Sequence, residues 1–430
     1  MTITEVKKLA IIGGGPGGLA SARVFLKNAR SFSEIHLYVS DERVGGLWYV
    51  PEGHQKGRVM YDHLETNLTK PLMQFSGFPF KEEVSEYPKR LDVYNYLQDY
   101  FTRFIAGQSP VQIHWTTPVE SVLKESGKWS VRTSQGEVAE FDNVIVATGH
   151  FSKPYIPRGV RGLEDWFAHK AAIHARDFQN AEFSRDKTVV VIGNASSGQD
   201  IVNQVSSVAK HVYHSVSAPS ESDYIYAGDP VIEQVGKIAS VDLNSRSVTL
   251  EDGTVISGVD YLVYATGYLY NFPLLPAEWQ QRLLVDEGRA VHGLWGHISP
   301  PEDPSIAFVL IPQLIIPFPL AELQAALIVH IFEGTISPQE QAPGPFDSSV
   351  VLDNLKDVAY YRWLQEQLDA ANGRSASVSD PVRAHFEPVW WDAHHESLRA
   401  SSSADKRRRN DVLHDHTLQL RSQGKSYTNQ

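Results

Sequence analysis

The chain has 430 residues; 42% are hydrophobic, 39 are Lys or Arg, 51 are Asp or Glu, and none is cysteine. A chain this long outgrows a single hydrophobic core, so two or more domains are expected. The net charge of -12 argues against a nucleic-acid partner, whose footprint is a basic patch. The missing cysteines exclude disulfides, thiolate metal sites and Cys-x-x-Cys redox chemistry.

The opening MTITEVKKLAIIGGG lacks the basic region and cleavage site of a signal peptide. From Lys7 the sequence KKLAIIGGGPGGLASARVFLKN reads as an apolar strand, a glycine turn and a helix that buries Leu19, Ala22, Val24 and Leu26. Gly13, Gly15 and Gly18 have the G-x-G-x-x-G spacing, with Gly14, Pro16 and Gly17 between them. Between strand and helix, this pattern lets a pyrophosphate approach the backbone at a helix N-terminus. The next strand, IHLYV, is followed by Asp41 and Glu42, the acids available for a ribose hydroxyl.

Next comes YDHLETNLTKPLMQFSGFPF, Tyr61 to Phe80, whose apolar residues are expected to exclude water around the polar pair Thr66-Asn67. A helix follows with Leu91, Tyr94, Leu97, Phe101 and Phe104 expected on its core face. Short alternating runs such as HWTTPVESVLKES, KWSVRTS and SVTLEDGTVI read as small antiparallel sheets. The strand-turn-helix pattern recurs at KTVVVIGNASSGQDIVNQVSSV, with Gly193, Ser196, Ser197 and Gly198 in the turn and Ala195 in place of the middle glycine. Two β runs, DNVIVATGH and DYLVYATGY, end in the same tripeptide. One precedes and one follows the second turn, which suggests that the second nucleotide domain is inserted into the first.

The apolar region 306–332 is interrupted by Pro312, Pro317 and Pro319, so no membrane span and no membrane anchor is expected. From Pro345 the composition turns polar. The run KRRR at 406–409 reads as a solvated helix face, and the chain from 423 as a disordered tail. No HExxH or Gly-x-Ser-x-Gly occurs, and the paired histidines 394–395 and 414/416 read as surface, so neither a metal site nor a serine hydrolase is expected.

Two dinucleotides in one chain suggest hydride transfer from a nicotinamide to a flavin. Without cysteine, disulfide reduction drops out, leaving an oxygen-using enzyme or an electron-transfer reductase. Nothing after the second turn is an evident 2'-phosphate partner beyond Lys210, His211 and His214, so NADPH and NADH stay undistinguished.

GGGPGG, VGGLW at 44–48, LETNLTKPLMQFSGFPF, HARDF at 174–178, GNASSGQDIV and YATGY occur in the order found in class B flavin-containing monooxygenases. Over residues 5–340 the sequence resembles that family, its short soluble fungal or yeast-like members above all. The resemblance implies FAD on the first turn, with Leu47 and Trp48, and NADPH on the second, with Ser197, Gly198, Gln199 and Asp200. It implies Thr66 and Asn67 where the cofactors meet, Asn67 as the catalytic amide, and Val119 as a backbone contact to the flavin nucleotide's adenine. It further implies a flavin C4a-hydroperoxide that oxidises a nitrogen or sulfur of a small organic molecule with dioxygen.

Three features depart from the pattern. Val39 stands where the family has its ribose-binding Glu. Ala168 and Lys170 fall where a glycine of the middle signature belongs. Phe178 replaces the Trp of Baeyer-Villiger relatives, which favours heteroatom oxidation over ketone insertion. A Baeyer-Villiger enzyme and a non-catalytic FAD/NADP sensor are the two alternatives.

The expected fold is α/β, two Rossmann-like domains with small antiparallel sheets and C-terminal helices. Its parts are an FAD domain at 1–152 and 263–344, an inserted NADPH domain at 153–262, a helical region at 345–422 and a tail at 423–430. A cytoplasmic location is expected, a homodimer is left open, and the layout hints at secondary-metabolite tailoring.

Overall fold

The computed structural model describes residues 7–51, 59–218, 226, 228–346, 348–353, 355–375 and 386–429. The chain divides into two compact units. The first comprises Met1–Tyr49, Leu68–Lys153 and Leu269–Ser401; the second comprises Val50–Asn67, Pro154–Tyr268 and Ser402–Gln430.

The first unit is built on a five-stranded parallel sheet in the order Ile306–Phe308, Asn143–Val146, Lys7–Ile12, Phe32–Tyr38, Val111–His114. The central strands read as near-continuous apolar runs because both faces of the sheet are buried, one of them by packing Ala10, Ile12, Val144 and Val146 against Val122, Trp129 and Val131. A three-stranded antiparallel meander, Val119–Glu125, Lys128–Thr133 and Val138–Phe141, is inserted between the 111–114 and 143–146 strands. Pro16–Asn28 packs along Pro317–Phe332, the interrupted apolar region, in which Leu320, Leu327 and Ile328 are wholly buried. Each such side chain contributes about 1.5–3 kcal/mol on leaving water. Among the described residues no helix is long and apolar enough to cross a membrane.

The second unit repeats the plan. Its parallel sheet runs Ile232–Val235, His211–Ser215, Thr188–Ile192, Tyr261–Tyr264, Ala172–His174. A meander of Ile238–Asp242, Ser247–Leu250 and Val255–Ser257 again precedes the strand that returns beside the centre. The outer edge alone differs: the first unit fills it with its last strand and the second with its first. The ATG tripeptides end the matching strands of the two sheets, and each places an alanine carbonyl against its glycine turn.

Several expectations need correction. The helix Arg90–Phe104 buries Val93, Tyr96, Leu97 and Tyr100, while Leu91 is 55% exposed. The helix is rotated because Phe75, Phe78 and Phe80 stack on Tyr96 and Tyr100, with Phe80 and Tyr96 ring centroids 3.9 Å apart. Those phenylalanines therefore fill the first unit's core. The second unit also takes in more than 153–262, because Tyr61 and Leu420 enter the same apolar cluster as Phe178 and Val191. Nor are the described residues of the expected tail loose. Tyr427 is 2% exposed and its backbone N–H donates to Ser207 Oγ at 2.9 Å.

Candidate functional site

The two glycine turns have nearly the same backbone. Gly13 lies at φ +121° and Gly193 at +119°, a region open to glycine and strained for other residues. A Cβ at either would sit 2.3 Å from a carbonyl oxygen, that of Ala147 or of Ala265. Each amide donates to the end of the next strand: Gly13 to Tyr38 O at 2.9 Å and Gly193 to Ser215 O at 3.0 Å. Gly18 and Gly198 touch their own turns: a Cβ there would fall 1.8 Å from Gly13 O and 2.0 Å from Gly193 O.

The helices Pro16–Asn28 and Ser196–Val205 begin at Gly15 (φ -82°, ψ -175°) and Ala195 (φ -80°, ψ 179°). Neither start has a side-chain cap or an acid in its first turn. First-turn N–H groups and the positive end of the helix dipole are thus left for an anion, which is what a dinucleotide pyrophosphate offers. At Gly15 a Cβ would meet the Gly46 backbone no closer than 3.6 Å. Glycine is not required there by the protein's own packing, and its outer side is left open to a phosphate. Both turns fit the group the sequence assigns them.

Around the first turn, Gly45 N–H donates to Gly14 O at 2.8 Å, seating the short helix Gly46–Trp48 beside it. Leu47 is half-buried and Trp48 is 9% exposed. Val39 is buried, and its methyl groups occupy the space a side chain on Gly14 would need. An acid at Val39 would therefore be pressed against Gly14. Glu42 is exposed and accepts from Tyr49 Oη at 2.6 Å, an interaction that with burial holds the phenol up to about 12. Thr117 and Thr116 donate to the carbonyls of Val39 and Asp41 at 2.9 and 3.0 Å, which brings half-buried Val119 to the same end of the sheet.

Around the second turn, Ser196 and Ser197 are exposed and Gly198 is buried. Gln199 donates to Asn194 O at 3.2 Å, while its carbonyl accepts from Tyr226 Oη at 2.6 Å. Asp200 is turned inward: it accepts from Tyr61 Oη, and from Gln204 Nε2 at 3.1 Å. Burial raises the Asp200 carboxyl despite these donors and Lys406 nearby. Asp200 therefore anchors the turn's helix rather than facing outward. His214, considered for a phosphate, is fully buried and shares a hydrogen bond with Gly193 O at 2.8 Å. Burial lowers its pKa, so the ring is the neutral Nε2–H donor.

His174 plays a like part. Its Nε2 donates to Gly267 O at 3.0 Å and its Nδ1 accepts from Arg176 N at 3.1 Å, with burial lowering its pKa to about 4. The surviving half of the middle signature thus ties a sheet edge to the second ATG loop. Lys170 stands in a left-handed conformation at φ +58°, a region that favours glycine. Phe178 is buried, edge-on to Tyr61 at 5.1 Å.

Thr66 is buried and Asn67 exposed. Sequence reasoning missed what holds them. Lys406 Nζ donates to Thr66 O at 3.2 Å, and Arg409 grips Glu65 through Nε at 3.0 Å and Nη2 at 2.6 Å. The KRRR run is therefore split: Lys406 and Arg409 turn inward, and Arg407 and Arg408 stay solvated. The signal was there, since 402, 406, 409, 413, 417 and 420 recur at helical spacing. Among the described residues no group of His, Asp or Glu could hold a metal.

The flavin-binding monooxygenase-like family model matches residues 6–222 and 230–342. A thiol-specific monooxygenase of Saccharomyces cerevisiae is 44% identical, over 99% of this chain and 98% of that protein. The Arabidopsis thaliana flavin-containing monooxygenase FMO GS-OX-like 9 is 31% identical, over 77% of this chain and 76% of that one. Among solved structures, S-allyl-L-cysteine S-oxygenase from Allium sativum superposes with a TM-score of 0.71 at 25% identity, covering 97% of this chain and 98% of that one. Cyclohexanone monooxygenase, at a TM-score of 0.56 and 15% identity over 94% and 99%, shares the fold. The chain belongs to the flavin-binding monooxygenase-like family and is an oxidoreductase that uses FAD and NADPH.

Proposed function

We propose that this monooxygenase oxygenates the sulfur of a small thiol, taking electrons from NADPH and one oxygen atom from dioxygen. The observation that carries the reading is the 44% identity, along nearly the whole chain, to a monooxygenase named for thiols. The likeness to an S-oxygenase supports sulfur over nitrogen. The balance is RSH + O2 + NADPH + H+ giving RSOH, NADP+ and water. A sulfenic acid condenses readily with any thiol it meets. A chain without cysteine cannot be captured by that product.

In this reading the Gly13–Gly18 turn, with Leu47, Trp48, Asp41 or Glu42, and Val119, holds FAD, which supplies oxygen activation when bound. The Gly193–Gly198 turn, with Ser196, Ser197 and Gln199, holds NADPH, and Asp200 keeps its helix in place. Asn67 is the group that acts at the reacting atoms: its neutral amide donates and accepts at once without delivering a proton. Phe178 speaks against ketone insertion.

The test is oxygen-18 gas with a panel of thiols, thioethers, amines and cyclic ketones. Thiols should drive NADPH consumption and yield a trapped sulfenic acid carrying one labelled atom. Labelled lactone from a ketone, or oxygenation of amines alone, would overturn the reading.

A further inference from the structure

The segment carrying Asn67 is held from two sides within the second unit. On one side stands the Ser196–Val205 helix. Its Asp200 accepts from Tyr61 Oη, and Gln204 Nε2 donates to His63 O at 3.2 Å. On the other stands the helix Ala393–Ser422, which lies beyond the residues matched by the family model. Lys406 Nζ is 3.2 Å from Thr66 O and 3.5 Å from Glu65 Oε1, and Arg409 pairs with the same carboxylate. The Glu65 side chain is 7% exposed and that of Lys406 18%. A carboxylate so buried must be paired, and a cation so buried must find acceptors. Glu65 has two cations, so Lys406 can direct a donor at the Thr66 carbonyl, one peptide before Asn67. Burial lowers the Lys406 pKa, and the attraction of Glu65 and Asp200 opposes that fall.

We propose that Lys406, supported by Arg409, is a positioning residue of the reaction: it fixes the Thr66 backbone so that Asn67 presents its amide at a set place. The effect is on coupling, meaning oxygenated product formed per NADPH consumed. The inference rests on the role given to Asn67 in the proposed function.

The experiment measures peroxide released per NADPH, with flavin content and the rate of NADPH-driven flavin reduction, in the full-length holoenzyme. For Lys406→Met the expected result is a peroxide yield raised at least about threefold, with flavin content and reduction rate within about twofold of the parent. Lys406→Arg, which keeps a cationic donor, should recover most of the coupling. Arg408→Met, whose side chain is 70% exposed, should match the parent. Where Lys406→Met alone fails to fold, Lys406→Met with Glu65→Gln removes the buried charge pair together and should uncouple in the same way. Asn67→Leu separates the two claims. Parental coupling in Asn67→Leu overturns the role of Asn67 and this inference with it. Uncoupling in Asn67→Leu alongside parental coupling in the Lys406 variants overturns this inference alone.

Discussion

Two turns with one backbone are held by helices anchored in opposite ways. The helix after Gly15 is apolar along most of its buried face. Among the described residues its ionic tie is inside the first unit, where Arg23 Nη1 meets Glu322 Oε1 at 3.1 Å and the guanidinium lies over the Phe104 ring at 3.7 Å. Glu322 also accepts from Tyr100 Oη and Ser76 N, each at 2.8 Å. The helix after Ala195 has Asn203 where the first has Arg23, counting eight residues from each start. Its Asp200, Asn203 and Gln204 reach Tyr61, His414 and His63. A dinucleotide turn fixes a backbone path, then, and leaves open what its helix is tied to. In the second unit that freedom connects the turn to the segment bearing Asn67.

The largest effect should come from the glycines that touch their own turns. Gly198→Ala places a Cβ 2.0 Å from Gly193 O, and its cost should be on the order of 3 kcal/mol or more, read as lost unfolding free energy in urea. Gly18→Ala should cost as much. If either melts like the parent, the turns are not packed as described.

Glu322 comes next. Burial outweighs its donors and holds its proton up to about 7, against an ordinary 4.5. A carboxyl raised in the folded state contributes stability that is full below about 4.5 and fades as pH rises towards 7. Glu322→Gln removes that slope, so the variant's deficit in urea should shrink from pH 5 to pH 8 by on the order of 2 kcal/mol. An unchanged deficit would mean the first helix is not tied by a reluctant acid. The smallest effect belongs to Lys170→Gly, which relieves a left-handed residue and should stabilise the protein by about 1 kcal/mol.

Much of this was legible from the sequence, and the reason is local. The glycine turns, the ATG strand ends and both meanders are written in contiguous residues with a two-residue or 3.6-residue period. The failures are all long-range. Nothing near Leu91 shows that Phe75 and Phe80 will claim the other side of its helix. Nothing near Asp200 shows that Tyr61 lies against it, 139 positions earlier. KRRR looked solvated because charge dominates such a window, though Lys406 and Arg409 share the inward stripe. Val39 and Lys170 registered only as departures. The structure supplies their causes, a valine filling the place beside Gly14 and a lysine in a glycine's conformation.

The central claim is that the first turn takes FAD and the second NADPH. It is tested most directly by binding titrations of Gly15→Ala and Ala195→Val, with FAD in excess when NADP+ is titrated. Neither substitution disturbs internal packing, because a Cβ at Gly15 has room and Ala195 is exposed. Gly15→Ala should weaken FAD at least about tenfold, some 1.4 kcal/mol, and leave NADP+ within about twofold; Ala195→Val should do the reverse. Unchanged FAD affinity in Gly15→Ala, or weakened FAD in Ala195→Val, would contradict the assignment.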